Sequence, residues 1–122
     1  MLEHELRRDQ GILIVRPKGP LEAADFAKVA RDIDPHIEAQ GKLVGLLVDA
    51  PSFPGWNDFA GLIAHFKFVR DHHRKIERVA VVTDDAVLQF LPRIAEHFAH
   101  PTIKVFGGSE TPRALNWLHS RG

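Results

Sequence analysis

Residues 43–50, LVGLLVDA, run from Leu43 to Val48 without a polar side chain and then meet Asp49. A strand with one wet face alternates apolar and polar residues, whereas a strand covered on both faces reads as a continuous apolar run. This stretch therefore predicts the central strand of an α/β sheet with helices on either side. Gly41 just before it can end a preceding helix, and Pro51, Pro54 and Gly55 just after it forbid the strand to continue.

Upstream, Phe26, Val29, Ala30, Ile33 and Ile37 fall at i, i+3, i+4, i+7 and i+11, one face of a helix, with Pro35 on the other face. Before that helix, Leu2, His4 and Leu6 alternate with polar neighbours, Asp9-Gln10-Gly11 supplies a turn, and ILIV at Ile12 to Val15 resumes the apolar run, which predicts an antiparallel hairpin. Downstream, a helix is predicted from about Asn57 to His73 with Phe59, Leu62, Ile63, Phe66 and Val69 as its buried stripe. ERVAVV, Glu77 to Val82, reads as a strand. Asp84 or Asp85 can cap a further helix with Val87, Leu91, Ile94, Ala95 and Phe98 inward and Pro92 at a kink or in its first turn. A last strand, Ile103 to Phe106, leads through Gly107-Gly108 to a helix capped by Ser109 or Thr111, with Ala114, Leu115 and Leu118 inward. The order is ββαβαβαβα. Strands joined by single helices lie parallel with right-handed crossovers, so the expectation is a mixed five-stranded sheet, four strands parallel and the first antiparallel, flanked by four helices in a single domain over residues 1–122.

The 16 basic and 16 acidic side chains balance, which argues against a nucleic-acid binder, and no run is apolar enough for membrane insertion. The chain has no cysteine, so disulfides and thiolate metal sites are excluded. With no basic-then-apolar leader pattern at the start, a cytoplasmic location is expected. Eight histidines imply that charge, and with it association, changes between about pH 5 and 7.

In an open α/β sheet, ligands sit outside the carboxyl ends of the parallel strands. The loops that meet there are Lys18-Gly19-Pro20, Asp49 to Gly55, Thr83-Asp84-Asp85 and Gly107-Gly108-Ser109. They make Asp49, Ser52, Phe53, Trp56, Thr83 and Asp84 the candidate ligand-binding residues. The serines lack a G-x-S-x-G elbow, and no Walker or G-x-G-x-x-G loop is present. Gly107-Gly108 before Ser109 is a weak anion nest, read more simply as a tight turn feeding a helix cap. No catalytic residue, cofactor or metal site is expected: there is no H-E-x-x-H, and His72-His73 point about 100° apart on a helix. Gly61, His65, Phe68 and His72 share the helix face opposite the predicted stripe. That face is expected to dock a partner helix, in a homodimer or with another protein, less tightly as the histidines gain charge.

The run PGWNDFAGLIAHFKFVRDHHRKIERVAVVTDD, with IKVF and RALNWL after it, resembles the bacterial SpoIIAA-like proteins, a branch related to the STAS domains. Trp56, Lys67-Phe68, His72 or His73, the strand Glu77 to Val82 and the ending Ala114 to Leu118 carry the resemblance, which spans about residues 2 to 119. It implies the same ββαβαβαβα domain and no catalysis. STAS antagonists carry a phosphorylatable Ser at the start of the second helix, and DAPSFPGWNDF lacks that motif, with Ser52 several residues early. His65 stands where the family has an acidic residue, and Ala86-Val87 where it often has Trp. The expected function is a non-enzymatic, regulatory STAS-like module that binds a protein or a small ligand. The alternative is a carrier of an apolar ligand or lipid, because the fold is similar to the CRAL-TRIO domains and Phe53, Trp56 and Phe59 cluster near the strand ends.

Overall fold

The computed structural model describes residues 1–51, 59–85 and 101–120. Five strands form one sheet in sequence order: β1 (Leu2–Arg7), β2 (Ile12–Pro17), β3 (Leu43–Asp49), β4 (Ile76–Val82) and β5 (Thr102–Phe106). β1 is antiparallel to β2, β2 through β5 are parallel, and β3 is central, as its apolar run predicts. The described helices are α1 (Ala23–Gln40), α2 (Phe59–His72) and α3 (Thr111–His119), with a 3-10 turn, His73–Lys75, between α2 and β4. The helix expected between β4 and β5, with Val87, Leu91, Ile94, Ala95, Phe98 and Pro92, lies outside the described residues.

Local chemistry sets these boundaries. Gly11 takes φ 68° in the β1–β2 turn, a conformation open to Gly at little cost. Its carbonyl then accepts from the amides of Val44 and Gly45 at 2.9 and 3.2 Å, which joins the hairpin to the start of β3. α1 opens where the Asp25 carboxylate accepts from the amides of Glu22 at 2.8 Å and Leu2 at 3.2 Å, tying the helix start to β1. It closes at Gly41, φ 84°, whose amide donates to the Ile37 carbonyl at 2.6 Å. Pro35 lies on the exposed side, as its place opposite the apolar stripe requires.

The sheet is covered on both faces. On one, Leu13, Val15, Val79 and Val81 meet Val29, Ile33 and Ile37 of α1; on the other, Ile12, Ile14, Leu47, Ala80 and Val82 meet Ala114 and Leu118 of α3. Each large apolar side chain buried in these layers contributes about 1.5–3 kcal/mol. α3 approaches β3 so closely that a Cβ on Gly45 would stand 2.9 Å from Leu118 Cδ2. Arg78 of β4 closes the far end of α3: its guanidinium donates to the carbonyls of Trp117 and Ser120, both at 2.8 Å, and lies 5.2 Å from the Trp117 ring centre. A cation there meets the negative end of the helix.

α2 is rotated from the orientation that its apolar periodicity predicts. Ile63, Phe66 and Val69, assigned to the buried stripe, are 37%, 62% and 48% exposed; the side chains of Phe59 and Leu62 lie outside the described set. The face of Gly61, His65, Phe68 and His72 points inward and packs along α1 of the same chain, so it is not the free surface for a partner helix that its sequence pattern implied. Close approach explains the choice. A Cβ on Gly61 would stand 2.5 Å from the carbonyl oxygen of Leu21, so only a glycine lets the start of α2 rest on the backbone ahead of α1. Flat rings fill the rest of the seam.

Candidate functional site

At the carboxyl ends of the parallel strands, Asp49, Thr83 and Asp84 are brought to one rim, as the sequence predicts, while Ser52, Phe53 and Trp56 lie outside the described residues. The rim is wired to itself. Thr83 is fully buried; its hydroxyl donates to the Pro51 carbonyl at 3.2 Å and accepts from the Asp85 amide at 3.0 Å. Its own amide donates to the Phe106 carbonyl at 2.9 Å. Thr83 thus binds three loops together, and the Asp49 carboxylate lies 3.7 Å from Arg16 Nε on β2.

The two glycine amides singled out as an anion nest already hold anions. Asp84 Oδ1 accepts from Gly108 N–H at 3.0 Å, and Glu110 Oε1 accepts from Gly107 N–H at 2.9 Å. Glu110, which also pairs with Arg113, sits at the N-cap position of α3 where Ser109 or Thr111 was expected. The Gly107 amide, with Arg113 adding to it, holds the Glu110 carboxyl below the usual carboxylate range. A phosphate bound here would have to displace both carboxylates, so this turn favours the structural reading. Among the described residues, no three His, Asp or Glu side chains converge on a point where a metal ion would sit. An open depression of about 410 Å³, lined by Arg8, Asp32, Pro35, His36, Ala39 and Gln40, lies at the other end of the sheet, beside the β1–β2 turn.

The second candidate region is α2. On its inner face His65 stacks on Phe26 with ring centres 4.9 Å apart, Phe68 packs 5.9 Å from Phe26, and His72 stacks on Phe68 at 4.2 Å. His72 Nδ1 lies 2.8 Å from the Phe68 carbonyl and Nε2 lies 2.7 Å from Asp34 Oδ1 of α1. Burial pushes the His65 pKa below its ordinary value. On the outer face Ile63, Phe66 and Val69 form an apolar stripe, bordered by the exposed cations Lys67, Arg70, Arg74 and Lys75 and by Asp71.

Sequence reasoning missed Asp34, Arg78 and Glu110 as partners. The signal was available only in pairs: Arg78 with Trp117, and the acidic residues Asp84 and Glu110 with the adjacent glycines. Phe68, His72, Arg78 and Trp117, which carry much of the family resemblance, all hold helices in place.

Among the described residues no helix is long and apolar enough to cross a membrane. No curated protein matches the chain significantly. Among solved structures it is similar to an uncharacterised protein of the DUF3478 family with a SpoIIAA-like fold from Shewanella loihica PV-4. That match has a TM-score of 0.72 and 20% identity, covering 97% of this chain and 92% of the other. At that identity the likeness is one of fold. The family model described as SpoIIAA-like matches residues 12–119, from the second strand of the sheet to the end of α3, and the chain belongs to the SpoIIAA-like family.

Proposed function

We propose that this SpoIIAA-like domain is a non-enzymatic, regulatory interaction module that presents the outer face of α2 to a protein partner. The carrying observation is the stripe Ile63, Phe66 and Val69, exposed in succession along α2 beside Lys67, Arg70, Arg74 and Lys75. Scattered apolar residues on a surface need no explanation, but a contiguous stripe with a charged border has the anatomy of an interface: an apolar centre and a polar rim. The border also selects. Asp71 pairs with Arg70 at 3.0 Å, which leaves Lys67, Arg74 and Lys75 as an excess of positive charge that an apolar surface rimmed by Asp and Glu complements better than a second copy does. Binding rather than catalysis is favoured by the rim of the sheet, where Thr83, Asp84 and Glu110 are taken up in bonds to loop backbone.

Native mass spectrometry of the protein purified from its own cells tests this. The expected spectrum contains a heteromeric complex that is lost on adding salt and is absent for both Phe66→Asp and the double variant Lys67→Glu, Arg70→Glu. A monomer that retains an apolar small molecule would replace this reading with the carrier alternative. A complex indifferent to both variants would remove α2 from the interface.

A further inference from the structure

β1 is an edge of the sheet, and its register with β2 fixes which of its backbone groups face outward. The Lys18 amide donates to the Met1 carbonyl at 2.8 Å, so in this antiparallel ladder the hydrogen-bonded pairs that follow are Glu3–Arg16, Glu5–Ile14 and Arg7–Ile12. The amides and carbonyls of Leu2, His4 and Leu6 therefore point away from β2. Two closures bound this row. The Leu2 amide donates to Asp25 Oδ1 of α1 at 3.2 Å, and past Leu6 the chain turns, with the Arg7 carbonyl accepting from the amides of Gln10 and Gly11. Between them, the outward amides and carbonyls of His4 and Leu6 have no partner among the described residues.

An open edge is a template for another strand, and proteins that avoid such pairing blunt it with Pro, a bulge or Lys. β1 has none of these: its six residues pair one for one with β2. Leu2 and Leu6 are turned toward the α1 layer, and the His4 ring is held there by Asp32 at 2.5 Å. The open depression between Arg8 and the outer side of α1 shows that the helix does not close over this end of the strand. On the opposite face Glu3, Glu5 and Arg7 follow one another, with Arg7 Nε donating to Glu5 at 2.9 Å. The open groups are symmetric about Glu5, so the edge complements itself. With a two-fold axis there, His4 of each copy stands opposite Leu6 of the other and four backbone hydrogen bonds form. Glu3 of each copy then faces Arg7 of the other, while the two Glu5 carboxylates meet near the axis, each beside its own Arg7. Sliding the copies so that His4 faces His4 would instead set Glu3 against Glu5 twice, and sliding them the other way would set Glu3 against Asp9.

We infer that the protein pairs with a second copy of itself through β1, antiparallel and centred on Glu5, joining the two five-stranded sheets into one. The hydrogen bonds supply the attraction and the Glu3–Arg7 contacts select the register. This pairing uses neither the outer stripe of α2 nor the rim of the sheet, so it stands independently of the function proposed above.

The experiment is analytical ultracentrifugation of the isolated protein across a micromolar dilution series, with amide hydrogen exchange along β1 at both ends of the series. The mass should move from 13.7 kDa toward twice that value as concentration rises. The amides of His4 and Leu6 should gain protection with it, while those of Glu3 and Glu5, already bonded to β2, should change little. Glu3→Arg and Arg7→Glu each turn two opposite-charge contacts into like-charge ones, and each should raise the dimer dissociation constant by about tenfold. The double variant Glu3→Arg, Arg7→Glu should recover most of that loss. A protein that stays monomeric throughout would overturn the inference and leave the edge to a strand of another protein. A dimer in which His4 and Leu6 gain no protection, or in which the double variant is weaker than either single one, would also overturn it.

Discussion

Gly61→Ala sets helix propensity against packing, and the structure says which wins. In an exposed helix interior the substitution stabilises by about 1 kcal/mol, because Ala loses less backbone entropy than Gly. Here the new methyl would stand 2.5 Å from the carbonyl oxygen of Leu21 and 3.4 Å from its carbonyl carbon. Ordinary contact requires about 3.5 Å, so the start of α2 must retreat by about 1 Å from a backbone that cannot rotate away. Overpacking of this kind costs about 1–3 kcal/mol, and the retreat also separates His65 from Phe26 and Phe68 from the α1 layer. The net expectation is a loss of about 1–2 kcal/mol, or a Tm lower by about 4–8 °C for a domain of this size. Differential scanning calorimetry reads it directly. A Tm unchanged or raised would mean that α2 is not seated on the chain ahead of α1 and does not turn the Gly61 face inward.

The remaining predictions concern other joints. Arg78→Met removes two hydrogen bonds from a charged donor to the end of α3 and a cation over Trp117, and should cost about 2 kcal/mol in urea unfolding. Arg78→Lys should recover less than half of that, since an ammonium cannot reproduce the guanidinium fork. Because the folded state lowers the pKa of His65, the unfolded chain takes up the proton first as pH falls through about 6.5. The stability from its neutral packing is thus present above that value and lost below it, by up to about 1 kcal/mol at pH 5.5; in His65→Phe this part of the pH dependence should be gone. Asp84→Ala frees the Gly108 amide at an exposed site and should cost about 1 kcal/mol or less, with the amide of Gly108 exchanging faster by NMR.

Most of the sheet was legible because its signals are local. The unbroken run of β3, the turn at Gly11 and the stripe of α1 ended by Gly41 each follow from a single segment, and the structure places them accordingly. α2 was misread because it carries large apolar residues on both faces, and a periodicity count treats His as polar. Its inner face is made of rings, His65, Phe68 and His72, laid flat against Phe26 and one another, so the histidines serve as packing surface there. Gly61, His65, Phe68 and His72 recur at i, i+4, i+7 and i+11, a stripe as regular as that of α1, and the glycine at its head was the clue to close approach. The rim of the sheet was legible as a place but not as a state. Thr83 and Asp84 could be assigned to it from the end of β4, whereas the engagement of Thr83 by Pro51 and of Asp84 by Gly108 depends on residues far away in sequence.

The proposed interface depends on α2 turning Phe68 inward and leaving Phe66 outside. Thermal unfolding of Phe66→Asp and Phe68→Asp measured side by side tests it most directly. Phe66→Asp should change stability by no more than about 0.5 kcal/mol, as surface substitutions do. Phe68→Asp, which places a carboxylate between Phe26 and His72, should cost at least about 3 kcal/mol or prevent folding. The reverse order, with Phe66→Asp the more damaging, would contradict the account.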